Sequence, residues 1–318
     1  MRYNFKSKFI SLVVLIGVIS SVFSSCGLLQ SEYRPALWQI TGQNGEEMYI
    51  MGSIHIGDES MYPFDERINS SFEKCDFLAV EYDVVSADER ADNWTDSEKI
   101  MYLAQYMYKD GDNIKNHLSK ETYNTARAYL MQKNAYSEQM DMFVPAFWQS
   151  IVNSLVVEDS GYNAEMGVDR VLIKLAREVG KQVLEIESEQ SQLEMTLSFQ
   201  DIVYDDSISE MIKSKDTVSM QYAYMIDLWK RGRDDLIDRM TNGLTFLYSG
   251  DENGEYAEAY EEYNNKMMTE RNITMADVAD GYMKDGKRVF FVVGAAHVCG
   301  DGGIIDLLEE KGYTVNRM

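Results

Sequence analysis

The sequence holds three histidines, and two of them sit in the same local setting. His55 closes Gly52-Ser-Ile-His55 and His297 closes Gly294-Ala-Ala-His297, each directly after an apolar run. Imidazole is a common metal ligand and a natural acid or base near neutral pH. Glycine at a strand end lets the backbone turn and come close to a neighbour. Carboxylates fall in comparable places: Glu81 ends the run Phe77–Val80, and Glu185 and Glu187 end the run Gln182–Ile186. An acid against a buried apolar run is costly unless it is paired or bound. Two histidines and one or two glutamates converging on a crevice would make an open metal site, with one carboxylate left as general base for a metal-bound water. Without a metal, His55 or His297 could act as base, oriented by Glu81. His117 follows a polar loop and reads as a surface residue.

The elements that must position these groups follow from periodicity. Residues 36–41 and 47–53 flank a Gln-Asn-Gly turn and read as a β-hairpin. Residues 64–74 read as a short helix and 77–82 as a buried strand. From about 95 to 180 the pattern is helical, ending in an amphipathic stretch with Val168, Val171, Leu172, Leu175 and Val179 on one face. A strand is expected at 182–186. Nearly continuous helix follows over 189–285, with breaks near 231–233 and 249–254. A buried strand at 288–293, a helix at 301–311 and a last strand at 313–317 complete the chain. Strands alternating with helices at both ends predict an α/β fold, a central mixed sheet with flanking helices. The helical insertion covers about 95–180 and 189–285. The ligand crevice of such a sheet lies beyond the carboxyl ends of its strands, which is where both histidines fall.

Composition narrows the function classes. The 318 residues are 45% hydrophobic, enough for a large core and too apolar for a disordered chain. The formal net charge is −23, and so acidic a surface repels phosphate backbones, which argues against nucleic acid as a partner. Arg2, Lys6 and Lys8 precede the apolar run Ile10–Phe23, then Ser24, Ser25 and Cys26. This is the layout of an export signal over residues 1–25, with a cysteine in the position of a bacterial lipobox. The expectation is an exported lipoprotein of the cell envelope, acylated on Cys26 and joined to the 36–318 domain by a tether at 26–35. Cys75 and Cys299 remain, too few for a disulfide framework.

Taken together, these segments resemble the TraB/GumN family, which includes the Tiki metalloproteases. The matching pieces run in order: Met51-Gly-Ser-Ile-His55 with Gly57-Asp58; Val80-Glu81-Tyr82-Asp83; Gly167-Val-Asp169; Gly180 to Glu187 with Gln190. Glu270-Arg271-Asn272 with Met275-Ala276, and Val293-Gly-Ala-Ala-His297 leading to Gly300-Asp-Gly-Gly303, follow. They cover about residues 36–318. The resemblance implies a fold related to erythromycin-esterase-like and ChaN-like α/β domains. It also implies metal-dependent peptide cleavage favouring Mn²⁺ or Co²⁺. Carried onto this chain, it makes His55, His297 and Glu81 the metal candidates and Glu81, Glu187 and Arg271 the catalytic ones. Gly52, Gly294 and Asp169 would support them, and Arg271 would hold a carboxylate or face a developing oxyanion. The rival readings are a lipoprotein that captures a peptide or haem-like ligand without turnover, and a metal-free esterase-like hydrolase.

Overall fold

In the strand Val289–Gly294 every residue but the last is buried, so this run must have strands on both sides and packed layers on both faces. The computed structural model, which describes residues 33–240 and 254–318, places it within a six-stranded sheet. The strands are β1 (Leu37–Thr41), β2 (Glu47–Ser53), β3 (Phe77–Val80), β4 (Gln182–Glu185), β5 (Val289–Gly294) and β6 (Thr314–Arg317). They are ordered β4-β3-β5-β2-β1-β6. β4, β3, β5 and β2 run parallel, while β1 is antiparallel to both β2 and β6. The fold is α/β with a mixed sheet, as the periodicity predicts. Cys26, the expected acylation site, and most of the expected tether lie outside the described residues, as does the greater part of the expected break at 249–254.

Strand alternation sorts the core into two layers. Leu78, Val80, Phe290 and Val292 face one side, against Ile68 and Phe72 of helix Glu66–Lys74 and Leu172 and Ile173 of helix Val168–Glu178. Ala79, Phe291 and Val293 face the other, against Met275 and Ala279 of helix Glu270–Lys284 and Leu308 of helix Ile304–Glu310. Such continuous apolar strands are what a parallel sheet covered on both faces requires. A separate core joins the helices Lys120–Gln132, Pro145–Ser160 and Asp201–Ser214 through Leu130, Trp148, Val152 and Ile208. Tyr162 and Met225 touch both this core and the first; the stretches expected as a helical insertion also contain the helices Val168–Glu178 and Glu270–Lys284, which pack on the sheet itself.

Two local expectations change. Helix Val84–Asp92 has no counterpart among the elements expected from periodicity; Asp83 caps it, accepting the Ser86 N–H at 2.9 Å. Val179, expected on the buried face of its helix, is 63% exposed. It follows the last helical residue, Glu178, so its side chain leaves the apolar stripe that Val168, Leu172, Ile173 and Ala176 maintain.

The parallel register aligns the strand ends. Ser53 lies beside Gly294, and Val80 beside both Val292 and Glu185. The segments leaving β2, β3, β4 and β5 therefore emerge along one edge. Gly52 permits a close approach there: a Cβ on it would lie 2.8 Å from the Cα of Ala295, at the start of the short helix Ala295–Val298 that carries His297. We predict that Gly52→Ala lowers stability by about 1–3 kcal/mol, the usual cost of overpacking a close-packed site. Thermal melts of the wild type and variant check this, and unchanged melting would show that the two segments yield freely.

Candidate functional site

Arg271 occupies the centre of the strand-end crevice. It sits in the first turn of helix Glu270–Lys284, after a π-helical turn over Asn265–Thr269 in which the N–H of Glu270 reaches the carbonyl of Asn265. Such a turn adds one residue to the helical cycle and shifts the facing of the residues after it. Met267, Met268, Arg271 and Asn272 are all buried.

The guanidinium is fully engaged. Nε donates to Glu187 Oε1 at 2.8 Å. Nη2 donates to Glu187 Oε2 at 2.8 Å and to Glu81 Oε2 at 2.7 Å. Nη1 donates to His297 Nε2 at 3.0 Å and to the carbonyl of Met267 at 3.5 Å. These bonds use all five N–H groups of the side chain. The backbone brings its two acid partners together. The N–H of Ile186 pairs with the carbonyl of Val80, and that of Glu187 with the carbonyl of Glu81, so the β3–β4 ladder continues past the strands. Glu81 Oε1 also accepts the N–H of Gly294 at 2.8 Å. Gln192 Nε2 donates to Glu81 Oε2 at 3.1 Å and to Glu187 Oε2 at 2.8 Å.

The two histidines are held in different states. His297 Nδ1 lies 2.7 Å from Asn272 Oδ1, and Asn272 Nδ2 donates to the carbonyl of Gly302. The asparagine oxygen thus fixes the proton on Nδ1, which leaves the Nε2 lone pair to accept from Arg271. Burial, with the guanidinium alongside, pulls His297 down to about 3, so it is neutral over the physiological range. His55 is the opposite case. Burial opposes its charged form, but Asp169, with Nδ1 to Oδ2 of 3.4 Å, and Glu81 behind it overcome that and push it up to about 9. Burial likewise acts to raise Glu81, and Arg271 outweighs it, holding the carboxyl well below the usual range. The three groups meet at Gly294. A Cβ there would lie 3.3 Å from Glu81 Oε1, 3.4 Å from His297 Cδ2 and 3.9 Å from His55 Nε2. Gly167 brings Asp169 up to His55 in the same way, since a Cβ on it would sit 2.7 Å from the carbonyl oxygen of His55.

The structure therefore gathers His55, Glu81, Asp169, Glu187, Arg271, Gly294 and His297 into one place. Glu185, the other strand-end acid, is exposed and instead accepts the N–H of Asp83 at 2.9 Å. His117 is remote from this cluster and is not a free surface group. It is partly buried between Asp201 and Asp112, at 2.6 and 2.9 Å, and stacks on Tyr108. Cys75 and Cys299 are free thiols that burial pushes up to about 12, which leaves them unreactive. Sequence reasoning gives no role to Gln192 or Asn272. Asn272 lies within the Glu270-Arg271-Asn272 step, whereas nothing in the sequence marks Gln192.

The sequence model of the TraB/PrgY/gumN family matches residues 36–317. The chain belongs to this family. It is similar to the uncharacterized protein YbaP of Escherichia coli (strain K12), at 23% identity over 279 residues, which is 86% of this chain and 92% of that one. YbaP of Shigella flexneri matches with the same identity and coverage. No solved structure matches. The family match spans every strand of the sheet and all the residues gathered around Arg271.

Whether these residues suit the divalent ion implied by the sequence resemblance depends on the donors left open. Among the described residues no group of three or more His, Cys, Asp or Glu side chains is arranged to hold a metal ion. The reason is Arg271: it takes the Nε2 lone pair of His297 and both oxygens of Glu187. His55 Nε2 and Glu81 Oε1 remain toward the crevice, fewer than the three protein ligands of an open catalytic site. As arranged, the residues do not fit the ion.

The raised His55 has a measurable consequence. An imidazolium favoured by the fold stabilises it fully below the unfolded-state value near 6.5. That stability is lost as the pH rises through about 9. We predict that the melting temperature of the wild type falls across this window relative to that of His55→Gln. Parallel curves would contradict the assignment of charge to His55.

Proposed function

We propose that the strand-end crevice is the active site of an envelope hydrolase that opens the acyl bonds of peptides, held to a membrane through acylated Cys26. One observation carries this reading: His55 turns Nε2 to the crevice, with Asp169 behind its Nδ1, beside a carboxylate, Glu81, that Arg271 holds ionised. A histidine ion-paired at one nitrogen with an acid, here at 3.4 Å, and open at the other is suited to carry a proton. With His55 charged, it acts as the acid. Water lies between Glu81 Oε1 and the substrate carbonyl and adds to the carbonyl carbon. The C–N bond then breaks, and the departing nitrogen takes the His55 proton. The proton released by the water passes by way of Glu81 back to His55. Arg271 is a positioning residue in this scheme: with every N–H taken, it presets Glu81, Glu187 and His297 and does not itself face an oxyanion.

That same saturation of Arg271 supports a second reading, ligand capture without turnover. No donor of the guanidinium is left to stabilise developing negative charge, which is usually a large part of acyl-transfer catalysis.

The test incubates the chain with a defined peptide pool and reads intact ligand against fragments, with added Mn²⁺ or Co²⁺ and with a chelator. We expect cleavage that persists with chelator and falls at least about 100-fold in His55→Ala. Peptides protected but uncut would sink the hydrolase and favour capture. Activity abolished by chelator and restored by Mn²⁺ or Co²⁺ would transfer the chemistry to the metal-dependent reading. In cells, Cys26→Ser should move the chain from the membrane to the soluble fraction, and an unchanged distribution would count against the anchor.

A further inference from the structure

A cavity of about 580 Å³ lies between the sheet edge and the helical insertion, within the range of small-ligand sites and too small for a folded partner. It meets the charged cluster at Gln192, which lines the cavity while its Nε2 holds Glu81 and Glu187. Three features of its wall describe an occupant.

The first is charge. No Lys, Arg or His is among the lining residues, whereas Glu98 and Glu189 both are. Glu189 is paired with Arg90 and Glu98 caps its own helix, so the wall is weakly acidic and offers an anion no counter-charge. The second is hydrogen bonding. Six of the lining side chains are amides. One of them, Asn153, is only 9% exposed, and no hydrogen bond to its side chain exists among the described residues. Its amide is not among the buried polar atoms that lack a partner, so it opens to the cavity, where a ligand that both donates and accepts, as a peptide group does, would bond it. The third is packing. Helix Asp96–Ala104 supplies Glu98, Met101 and Tyr102 to the wall yet buries none of its residues, with Met101 70% exposed. A ligand in the cavity would give that helix the apolar contacts it lacks.

We infer that this cavity is the substrate cleft, and that it takes an extended peptide segment of neutral or basic character, with Asn153 bonding its backbone and Gln192 leading it to the charged cluster. The inference rests on the hydrolase reading for the turnover step, but binding is separable from turnover. Calorimetry on the full chain carrying His55→Ala measures binding alone. The probes are three N-acetylated tripeptide amides, Phe-Xaa-Ala, with Xaa as Lys, Gln or Glu. We expect the Lys and Gln peptides to bind and the Glu peptide to bind at least about tenfold more weakly, a difference of about 1.4 kcal/mol. Adding Asn153→Leu should weaken the Gln peptide about tenfold while leaving the melting temperature equal or higher, since the Asn153 side chain holds no hydrogen bond among the described residues and leucine adds apolar surface. A merely structural Asn153 would show the reverse. Glu98→Gln with Glu189→Gln should narrow the Lys-to-Glu gap. Equal affinity for the Lys and Glu peptides, unchanged binding in Asn153→Leu, or tighter binding of maltotriose than of any peptide would overturn the inference. Peptide binding without cleavage in the wild type would leave the cleft standing and remove the hydrolase.

Discussion

A guanidinium taken out of water must be met by anions and acceptors on every side, because leaving one buried charge unpaired costs several kcal/mol. Arg271 is only 7% exposed, and its partners come from four separate stretches of chain: Glu81 after β3, Glu187 after β4, His297 after β5 and Met267 in the preceding helical turn. The residue therefore does more than neutralise two acids. It fixes how the ends of three parallel strands lie relative to one another, and through Glu81 and its bond from the N–H of Gly294 it ties the turn that carries His297. The ion cluster and the sheet register are two descriptions of one constraint.

Beside that constraint stands a division of labour between two histidines with the same local sequence. Both end a Gly-x-x-His step, yet His297 has Asn272 at one nitrogen and a guanidinium at the other, while His55 has an aspartate at one nitrogen and an opening at the other. A neutral acceptor and an adjacent cation keep the first uncharged. An adjacent anion keeps the second charged. The internal echo in the sequence thus yields two different groups, one locked into the scaffold and one facing the crevice.

Much of this is legible in the sequence, and the rest is hidden for physical reasons. Runs such as Phe77–Val80 and Val289–Val293 read as strands because a parallel sheet buried on both faces leaves no polar alternation to confuse the period. The site residues His55, Glu81, Glu187 and His297 stand out because charged or titratable groups at the ends of apolar runs need a partner, whereas Arg271 is marked only by the family resemblance. Their pairing with one another is not legible. It depends on the π turn before Glu270, which no local propensity announces, and on Gln192 and Asn272, whose neutral amides look like ordinary helix surface in a sequence. Helix Val84–Asp92 escapes because it is short and starts inside a motif, Val80-Glu81-Tyr82-Asp83, that reads as the end of a strand. His117 resembles a surface residue because its two partners, Asp112 and Asp201, are far apart in sequence from each other and are joined only by the fold.

The central claim, that burial and Arg271 keep His297 neutral while Asp169 keeps His55 charged, is open to one direct measurement. The chain contains three histidines, so ¹⁵N-resolved imidazole spectra recorded over pH, assigned by His55→Gln and His297→Gln, separate them cleanly. The account predicts that His297 remains neutral with its proton on Nδ1 until the pH approaches about 3, and that His55 loses its proton only near 9. Two histidines titrating together near 6.5, the ordinary value, would contradict it.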